Sequence, residues 1–118
     1  MRAITMLVAA LVLAPGVASA HAILSKTSLG GEPVKANVTT PVTLQFNSRI
    51  EPRFTKVVLV SAASDERALE VEPGDVPGAV RVTLPPLTPG PYGLRYKVLA
   101  ADGHVTESIL RFKVTAAE

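Results

Sequence analysis

PGPYGLRYKVLAADGH, residues 89–104, is the most strongly patterned stretch of this sequence. Its apolar residues stand two apart, at Tyr92, Leu94, Tyr96 and Val98. Successive side chains of a β-strand point to opposite faces, so this alternation predicts a strand with one buried face. Proline and glycine precede the strand and Asp-Gly follows it, and both pairs are typical of turns.

The same alternation recurs along the chain, with turn residues between the runs. We predict strands at Ile23–Thr27, Val42–Phe46, Phe54–Ala62, Leu69–Val71, Val80–Leu84, Tyr92–Val98 and Ile109–Thr115. Leu110 leaves the register of the last of these strands open. Ten prolines oppose long helices. About seven short strands predict one all-β domain of two packed antiparallel sheets, an immunoglobulin-like or cupredoxin-like β-sandwich.

Residues 1–20 have the composition of a secretory signal peptide rather than of a fold. Arg2 precedes the apolar run Ala3–Ala14, and Ala18-Ser19-Ala20 offers the small residues that a signal peptidase accepts. The run is shorter than the roughly 20 residues that span a bilayer. We therefore predict a cleaved signal peptide over residues 1–20 and a single exported domain over residues 21–118. An uncleaved membrane anchor is the alternative.

Charge and sulfur content exclude several classes of protein. Without Arg2 the chain has 11 basic and 10 acidic residues, and the basic ones are scattered singly, so we expect no nucleic-acid partner. There is no cysteine, which excludes disulfides, a lipid-anchored cysteine and a thiolate metal site. The two methionines, Met1 and Met6, lie in the predicted leader, so a soft Cu(I) site has no ligands in the mature domain.

Two histidines are the most informative residues of the chain. Cleavage after Ala20 makes His21 the first residue, and its free α-amine and imidazole can then chelate one metal ion. The alternative is that a histidine stands there by chance. His104 ends the tripeptide Asp102-Gly103-His104. In an extended segment the side chains of Asp102 and His104 point to one side, whereas the alternative is an Asp-Gly turn with an unrelated histidine beside it.

Together these groups supply three nitrogens and one oxygen. Nitrogen-rich tetragonal sites favour Cu(II), and although Zn(II) accepts the same donors, copper binds more tightly. The absence of cysteine excludes a blue-copper electron carrier. We therefore predict one Cu(II) per mature chain, with His21, Asp102 and His104 as its ligands.

Four segments of the sequence resemble the CopC-type family of periplasmic copper-resistance proteins. They are His21–Leu24 (HAIL), similar to an HA-x-L opening; Pro41–Phe46 (PVTLQF), similar to P-x-x-L-x-F; Leu84–Tyr92 (LPPLTPGPY) followed by Tyr96, similar to L-x-P-G-x-Y-x-V-x-[WY]; and Ala101–His104 (ADGH) followed by Phe112–Val114 (FKV), similar to S/A-D-G-H…F-x-V. The resemblance extends from His21 to about Val114, and so covers nearly the whole of the predicted mature domain.

The resemblance implies a seven-stranded Greek-key sandwich that is not an enzyme. It implies that Cu(II) is bound by the N-terminal histidine and the D-G-H motif, here His21, Asp102 and His104. It also implies copper sequestration, homeostasis and resistance in the periplasm, with delivery to an inner-membrane partner of the CopD type. We expect a monomer without stable membrane insertion, similar to the members that bind only Cu(II).

The chain departs from the family pattern at two positions. Ser48 stands where many members have an acidic residue after the L-x-F strand, and Glu51 is near enough in sequence to replace it, although a solvated loop carboxylate is the simpler interpretation. Leu29 stands where proline is common. Two other classes remain as alternatives: an oxidative copper enzyme with an N-terminal histidine, and a metal-free immunoglobulin-like interaction domain.

Overall fold

A computed structural model of the chain describes residues 22–116. They form nine strands and one short 3-10 turn. The strands are β1 Leu24–Thr27, β2 Val34–Lys35, β3 Thr40–Phe46, β4 Lys56–Ser61, β5 Glu66–Leu69, β6 Glu72–Pro73, β7 Ala79–Leu84, β8 Gly90–Leu99 and β9 Val105–Thr115; the 3-10 turn is η1 Pro52–Phe54. The described residues include no helix with the length and apolar character that a membrane span requires. The predicted leader and His21 lie outside the described residues.

The strands form two packed sheets, in the orders β1-β3-β7-β6 and β2-β9-β8-β4-β5. This arrangement corresponds to the two sheets of an immunoglobulin fold, and the chain crosses between them after β1, β2, β3, β5 and β7. The predicted β-sandwich is therefore confirmed. The predicted count of seven strands is too low by two, because β2 and β6 have two residues each and are too short to show an alternating pattern. In addition, β2 pairs with β9 in parallel, which the expected antiparallel arrangement did not include.

The alternating apolar residues of both sheets meet in one core. The largest of the fully buried side chains are Val42, Leu44, Val57, Val80, Val82, Leu84, Leu94, Val98 and Val114. Tyr96 contacts Phe46 edge to face across the sandwich, with ring centroids 5.3 Å apart. Burial of a leucine or valine side chain contributes about 1.5–3 kcal/mol, so the period-two pattern is the main stabilising feature of this cysteine-free domain.

Three details of the predicted strands are wrong or are now resolved. Phe54 does not begin a buried strand: it ends the 3-10 turn that Pro52 starts, and it is 57% exposed. The predicted strand over Leu69–Val71 is displaced, because β5 ends at Leu69. In β9, Leu110 is opposite Leu94 and points inward, so its neighbour Ile109 lies on the outer face of the sheet.

Candidate metal centre

The Asp102-Gly103-His104 tripeptide lies in the loop between β8 and β9. These two strands pair without interruption from Gly90↔Val114 to Leu99↔Val105, which leaves residues 100–104 as the connection. Inside the loop, Ala100 N–H donates to the carbonyl of His104 at 2.8 Å, and Gly103 N–H donates to the carbonyl of Ala100 at 2.9 Å. Gly103 has φ +96°, a conformation that glycine adopts at little cost. The tripeptide is therefore a turn and not an extended segment.

The turn nevertheless brings the two candidate ligands together. Asp102 Oδ1 accepts a hydrogen bond from His104 N–H at 3.1 Å and lies 3.3 Å from His104 Nδ1. The side chains stay open to solvent, with 45% of Asp102 and 58% of His104 exposed. From sequence, an Asp-Gly turn and a convergence of the two side chains are alternatives. The structure shows both, because an aspartate side chain commonly bonds to the backbone two residues on.

The same hydrogen bond affects the charge of the carboxylate. The backbone N–H of His104 lowers the pKa of Asp102 below its usual value of 3.8, and the His104 side chain adds to this effect. Donors to an ionised carboxylate favour the ionised form. Asp102 is therefore an anion over the whole range in which imidazole is neutral, and this is the state that a metal ligand requires.

The loop is held against the segment that follows β3. Ala101 N–H donates to the carbonyl of Arg49 at 3.0 Å, and Glu51 N–H donates to the carbonyl of Leu99 at 3.0 Å. An isolated bridge joins Ile50 to Ala100 between these two bonds. The backbone of residues 49–51 thus fixes the position of the Asp102–His104 pair relative to the first sheet.

The beginning of the described chain is held at this same end of the sandwich. Ile23 N–H donates to Asn47 Oδ1 at 2.8 Å, and Asn47 N–H donates to the carbonyl of Ile23 at 2.9 Å. Ala22 is buried and belongs to the same core cluster as Ile50 and Ala100. Residues 47–51 therefore contact both the start of the domain and the Asp-Gly-His turn. No sequence pattern marks Asn47, which directly precedes Ser48, the position where many family members have an acid.

The described residues supply two candidate ligands and not a complete site. Within residues 22–116, no three histidine, aspartate or glutamate side chains are close enough to hold one metal ion. A carboxylate oxygen and an imidazole nitrogen fit the donor preference of Cu(II), which then needs further nitrogen donors. The predicted third residue, His21, lies outside the described residues, so its part in the site stays a prediction.

The two departures from the family pattern have simple positions. Glu51 is exposed, and within residues 22–116 only its backbone is hydrogen-bonded, so a solvated loop carboxylate remains the simpler interpretation. Ser48 is exposed beside Asn47. Leu29 lies in the turn after β1, where it packs against the core.

Comparison with known proteins identifies the family. The CopC domain model matches residues 24–115, which include β1 to β9 and the Asp102–His104 turn. The chain belongs to the CopC family. CopC proteins bind copper, are copper-resistance proteins of the periplasm, and are not enzymes. This excludes the oxidative enzyme and the metal-free interaction domain as descriptions of the chain.

Solved structures of CopC proteins share the fold. CopC from Methylosinus trichosporium OB3b superimposes with a TM-score of 0.72 at 24% identity, over 83% of this chain and 97% of that one. PcoC from Escherichia coli, a methionine-rich copper resistance protein, gives 0.64 at 19% identity, over 81% of this chain and 100% of that one. A superoxide reductase (neelaredoxin) from Ignicoccus hospitalis gives 0.57 at 19% identity, over 81% and 83% of the two chains. No curated protein matches the chain by sequence.

Proposed function

We propose that this CopC protein is exported, loses residues 1–20 and binds one Cu(II) at the end of the sandwich that carries the Asp-Gly-His turn. The ligands are the α-amine and imidazole of His21, the imidazole of His104 and the carboxylate of Asp102. The observation that carries this proposal is the Asp102–His104 pair, with Oδ1 and Nδ1 3.3 Å apart, at the end where Asn47 holds Ile23.

The position of Ala22 supports a role for the residue before it. Ala22 is buried in the core cluster that also contains Ile50 and Ala100, so the described chain begins at this end of the sandwich. An amine and an imidazole on one residue form a chelate, and a chelate held near two further donors loses little entropy when the metal binds. An N-terminal histidine therefore suits this end better than an internal one, whose backbone nitrogen is an amide.

The donor chemistry supports Cu(II) over other ions. The mature domain has no methionine or cysteine, so the donors are nitrogen and oxygen, which Cu(II) prefers and Cu(I) does not. Reduction weakens such a site, and this provides a release step for delivery to an inner-membrane partner of the CopD type. In the periplasm the protein thereby sequesters copper and passes it on.

Acid releases the metal because the nitrogen ligands gain protons. Asp102 has a lowered pKa and stays ionised, whereas the amine and imidazoles must lose protons to bind. Ordinary imidazole has a pKa of about 6.5 and an α-amine about 7.7–8.0, so affinity falls as the pH drops through about 6.

Processing supplies the sharpest test. We compare the chain that begins at His21 with one that carries a single glycine before His21, which keeps every side chain but converts the amine to an amide. The expected result is one Cu(II) per chain with a weak ligand-field band for the first, and loss of tight binding for the second. Intact mass of the exported protein should place its first residue at His21, and any other start, or a retained leader, contradicts the proposal.

The side-chain ligands are tested with a matched pair. His104→Ala and Asp102→Asn should each lose tight copper binding, whereas Asp65→Asn, at an exposed aspartate in the turn between β4 and β5, should not. Copper is counted by equilibrium dialysis. Unchanged stoichiometry and an unchanged spectrum in His104→Ala would show that the site lies elsewhere.

A further inference from the structure

The outward face of the five-stranded sheet collects basic residues that are far apart in sequence. In each strand, every second residue points away from the core, and the pairing register aligns these positions across β4, β8 and β9. The cations on this face are Lys35, Lys56, Arg95, Lys97, Arg111 and Lys113, and the anions are Glu66 and Glu107. We call this surface the basic face. Six cations and two anions give it a net charge of +4.

The other described surfaces have the opposite sign. They carry five cations, Lys26, Arg49, Arg53, Arg67 and Arg81, and seven anions, Glu32, Glu51, Asp65, Glu70, Glu72, Asp75 and Asp102, a net charge of −2. The overall charge of the domain is therefore small because two unlike surfaces cancel. Such a distribution orients a protein toward an anionic partner even when the net charge is near zero.

Pairing inside the sheet does not account for the excess of cations. Lys56 is directly opposite Lys97 in the β4–β8 ladder, and like charges at directly opposed positions destabilise a sheet. Among residues 22–116, the one ion pair of the basic face joins Arg95 to Glu66, at 2.9 Å. Lys97 is also directly opposite Glu107 in the β8–β9 ladder, and the other four cations, Lys35, Lys56, Arg111 and Lys113, have no carboxylate partner within the described chain.

The shape of the face favours an extended partner. Residues on one face of a strand repeat about every 6.8 Å and neighbouring strands lie about 4.8 Å apart, so the cations spread over a surface instead of converging on one point. At the centre, Ile109 lies over Gly93, where an added Cβ would stand 2.7 Å from Ile109 Cδ1. The centre of the basic face is therefore apolar, with Ile109 37% exposed, and the basic residues lie around it.

We propose that the basic face docks the protein peripherally on the anionic phospholipid headgroups of a bilayer. Flexible lysine and arginine side chains suit headgroups that are mobile in the plane, and each such residue strengthens partition to an anionic membrane about fivefold. The Asp102–His104 turn lies at the end of β8 and β9 and not on their outward face, so it stays open to solvent in this orientation. The inference is independent of which residues bind copper.

Vesicle binding tests the proposal directly. The chain of residues 21–118 is mixed at low ionic strength with sedimentable vesicles of equal parts phosphatidylglycerol and phosphatidylcholine, or of phosphatidylcholine alone. Binding is expected to the anionic vesicles only, and it should disappear as salt is added because screening shortens the reach of the charges. No binding to the anionic vesicles at low salt overturns the proposal.

Two matched double variants separate the face from the net charge. Lys97→Glu with Lys113→Glu reverses two cations of the basic face, and the loss of two attractive residues alone weakens partition about 25-fold. Lys26→Glu with Arg67→Glu makes the same change of net charge away from the face and should retain most of the binding. Circular dichroism and thermal unfolding verify that both variants fold. Equal losses in the two variants contradict the proposal, as does binding to polyglutamate without binding to vesicles, which would indicate an acidic protein as the partner.

Discussion

Replacement of Asn47 by alanine tests whether its hydrogen bond to Ile23 contributes to copper binding as well as to stability. The substitution removes the acceptor Oδ1 of the 2.8 Å hydrogen bond from Ile23 N–H, and leaves the reverse bond from Asn47 N–H to the Ile23 carbonyl in place. Both residues are exposed, so water can replace the lost acceptor and the cost should be that of an ordinary hydrogen bond, about 0.5–1.5 kcal/mol.

The two readouts differ in what they reveal. For a domain of this size, 1 kcal/mol shifts Tm by about 4–8 °C, so a drop of a few degrees is expected. If Asn47 also positions His21, part of the same free energy is lost from copper binding, so the affinity for Cu(II) falls measurably but by no more than about 13-fold. Isothermal titration against a competing chelator measures the affinity for Cu(II), and chemical denaturation of the metal-free protein measures the loss of stability.

Three controls make this prediction specific. Asn47→Asp keeps an acceptor oxygen at the same place and should restore copper affinity. Ser25→Ala removes the exposed 3.2 Å bond from Ser25 Oγ to the Gln45 carbonyl of β3, and should lower stability by a similar small amount without changing copper binding. A glycine placed before His21 should abolish the effect of Asn47→Ala on copper. Wild-type affinity in Asn47→Ala, or failure of aspartate to restore it, would refute the positioning role.

Four further outcomes are expected from the described contacts. Gly103→Ala meets no steric obstacle, but its φ of +96° is unfavourable for alanine, so denaturation should show a loss of about 1–2 kcal/mol and copper binding should weaken. In a carboxyl NMR titration the pKa of Asp102 should lie below 3.8, so any stability that its carboxylate contributes is present above that pH and is lost as the pH falls through the lowered pKa. The largest cause of the lowering is the backbone N–H of His104, so His104→Ala should keep most of it. A return of the Asp102 pKa to 3.8 in this variant would contradict the assigned cause. Leu44→Ala, at a fully buried position of β3, should cost about 2–5 kcal/mol in urea unfolding. Thr106 Oγ1 is buried without a hydrogen-bond partner within residues 22–116, so Thr106→Val should leave the stability of the metal-free protein unchanged or raise it, and a loss above about 1 kcal/mol would show that the hydroxyl has a partner.

Much of the fold could be predicted from sequence because burial imposes a period of two on each long strand. The predicted alternations at Val42–Phe46, Val80–Leu84 and Tyr92–Val98 are the core of the sandwich. The two-residue strands β2 and β6 could not be predicted, because two residues are too few to show an alternating pattern. Their pairing depends on where the neighbouring strands place them. The hydrophobicity of Phe54 predicts a strand, whereas Pro52 and the backbone hydrogen bond from Phe54 N–H to the Glu51 carbonyl place it in an exposed turn.

The proximity of the two candidate ligands was predictable from sequence, but its geometry was not, and their binding of copper stays a prediction. Asp102 and His104 were identified from their spacing, and the structure brings them together through a turn with φ above zero at Gly103 instead of an extended segment. Asn47 could not have been identified from the chain alone, because its role depends on the pairing of Leu24 with Phe46, which places Ile23 beside it. Such a contact between residues 24 positions apart follows only from the register of β1 on β3.

The basic face also depends on strand register, and the β8–β9 hairpin that forms much of it carries the candidate metal centre at its end. Scattered single cations indicated no charged surface in the sequence, yet Arg95, Lys97, Arg111 and Lys113 lie on one face because β8 and β9 pair without a bulge. The same hairpin ends in the turn that holds Asp102 and His104. A shift of one residue in this pairing would send the outward cations into the core and would also change the length of the turn. The register of the β8–β9 hairpin therefore determines both the basic face and the Asp102–His104 turn. An insertion in the loop of residues 100–104 should disturb copper binding, whereas the basic face should persist as long as the β8–β9 ladder stays uninterrupted.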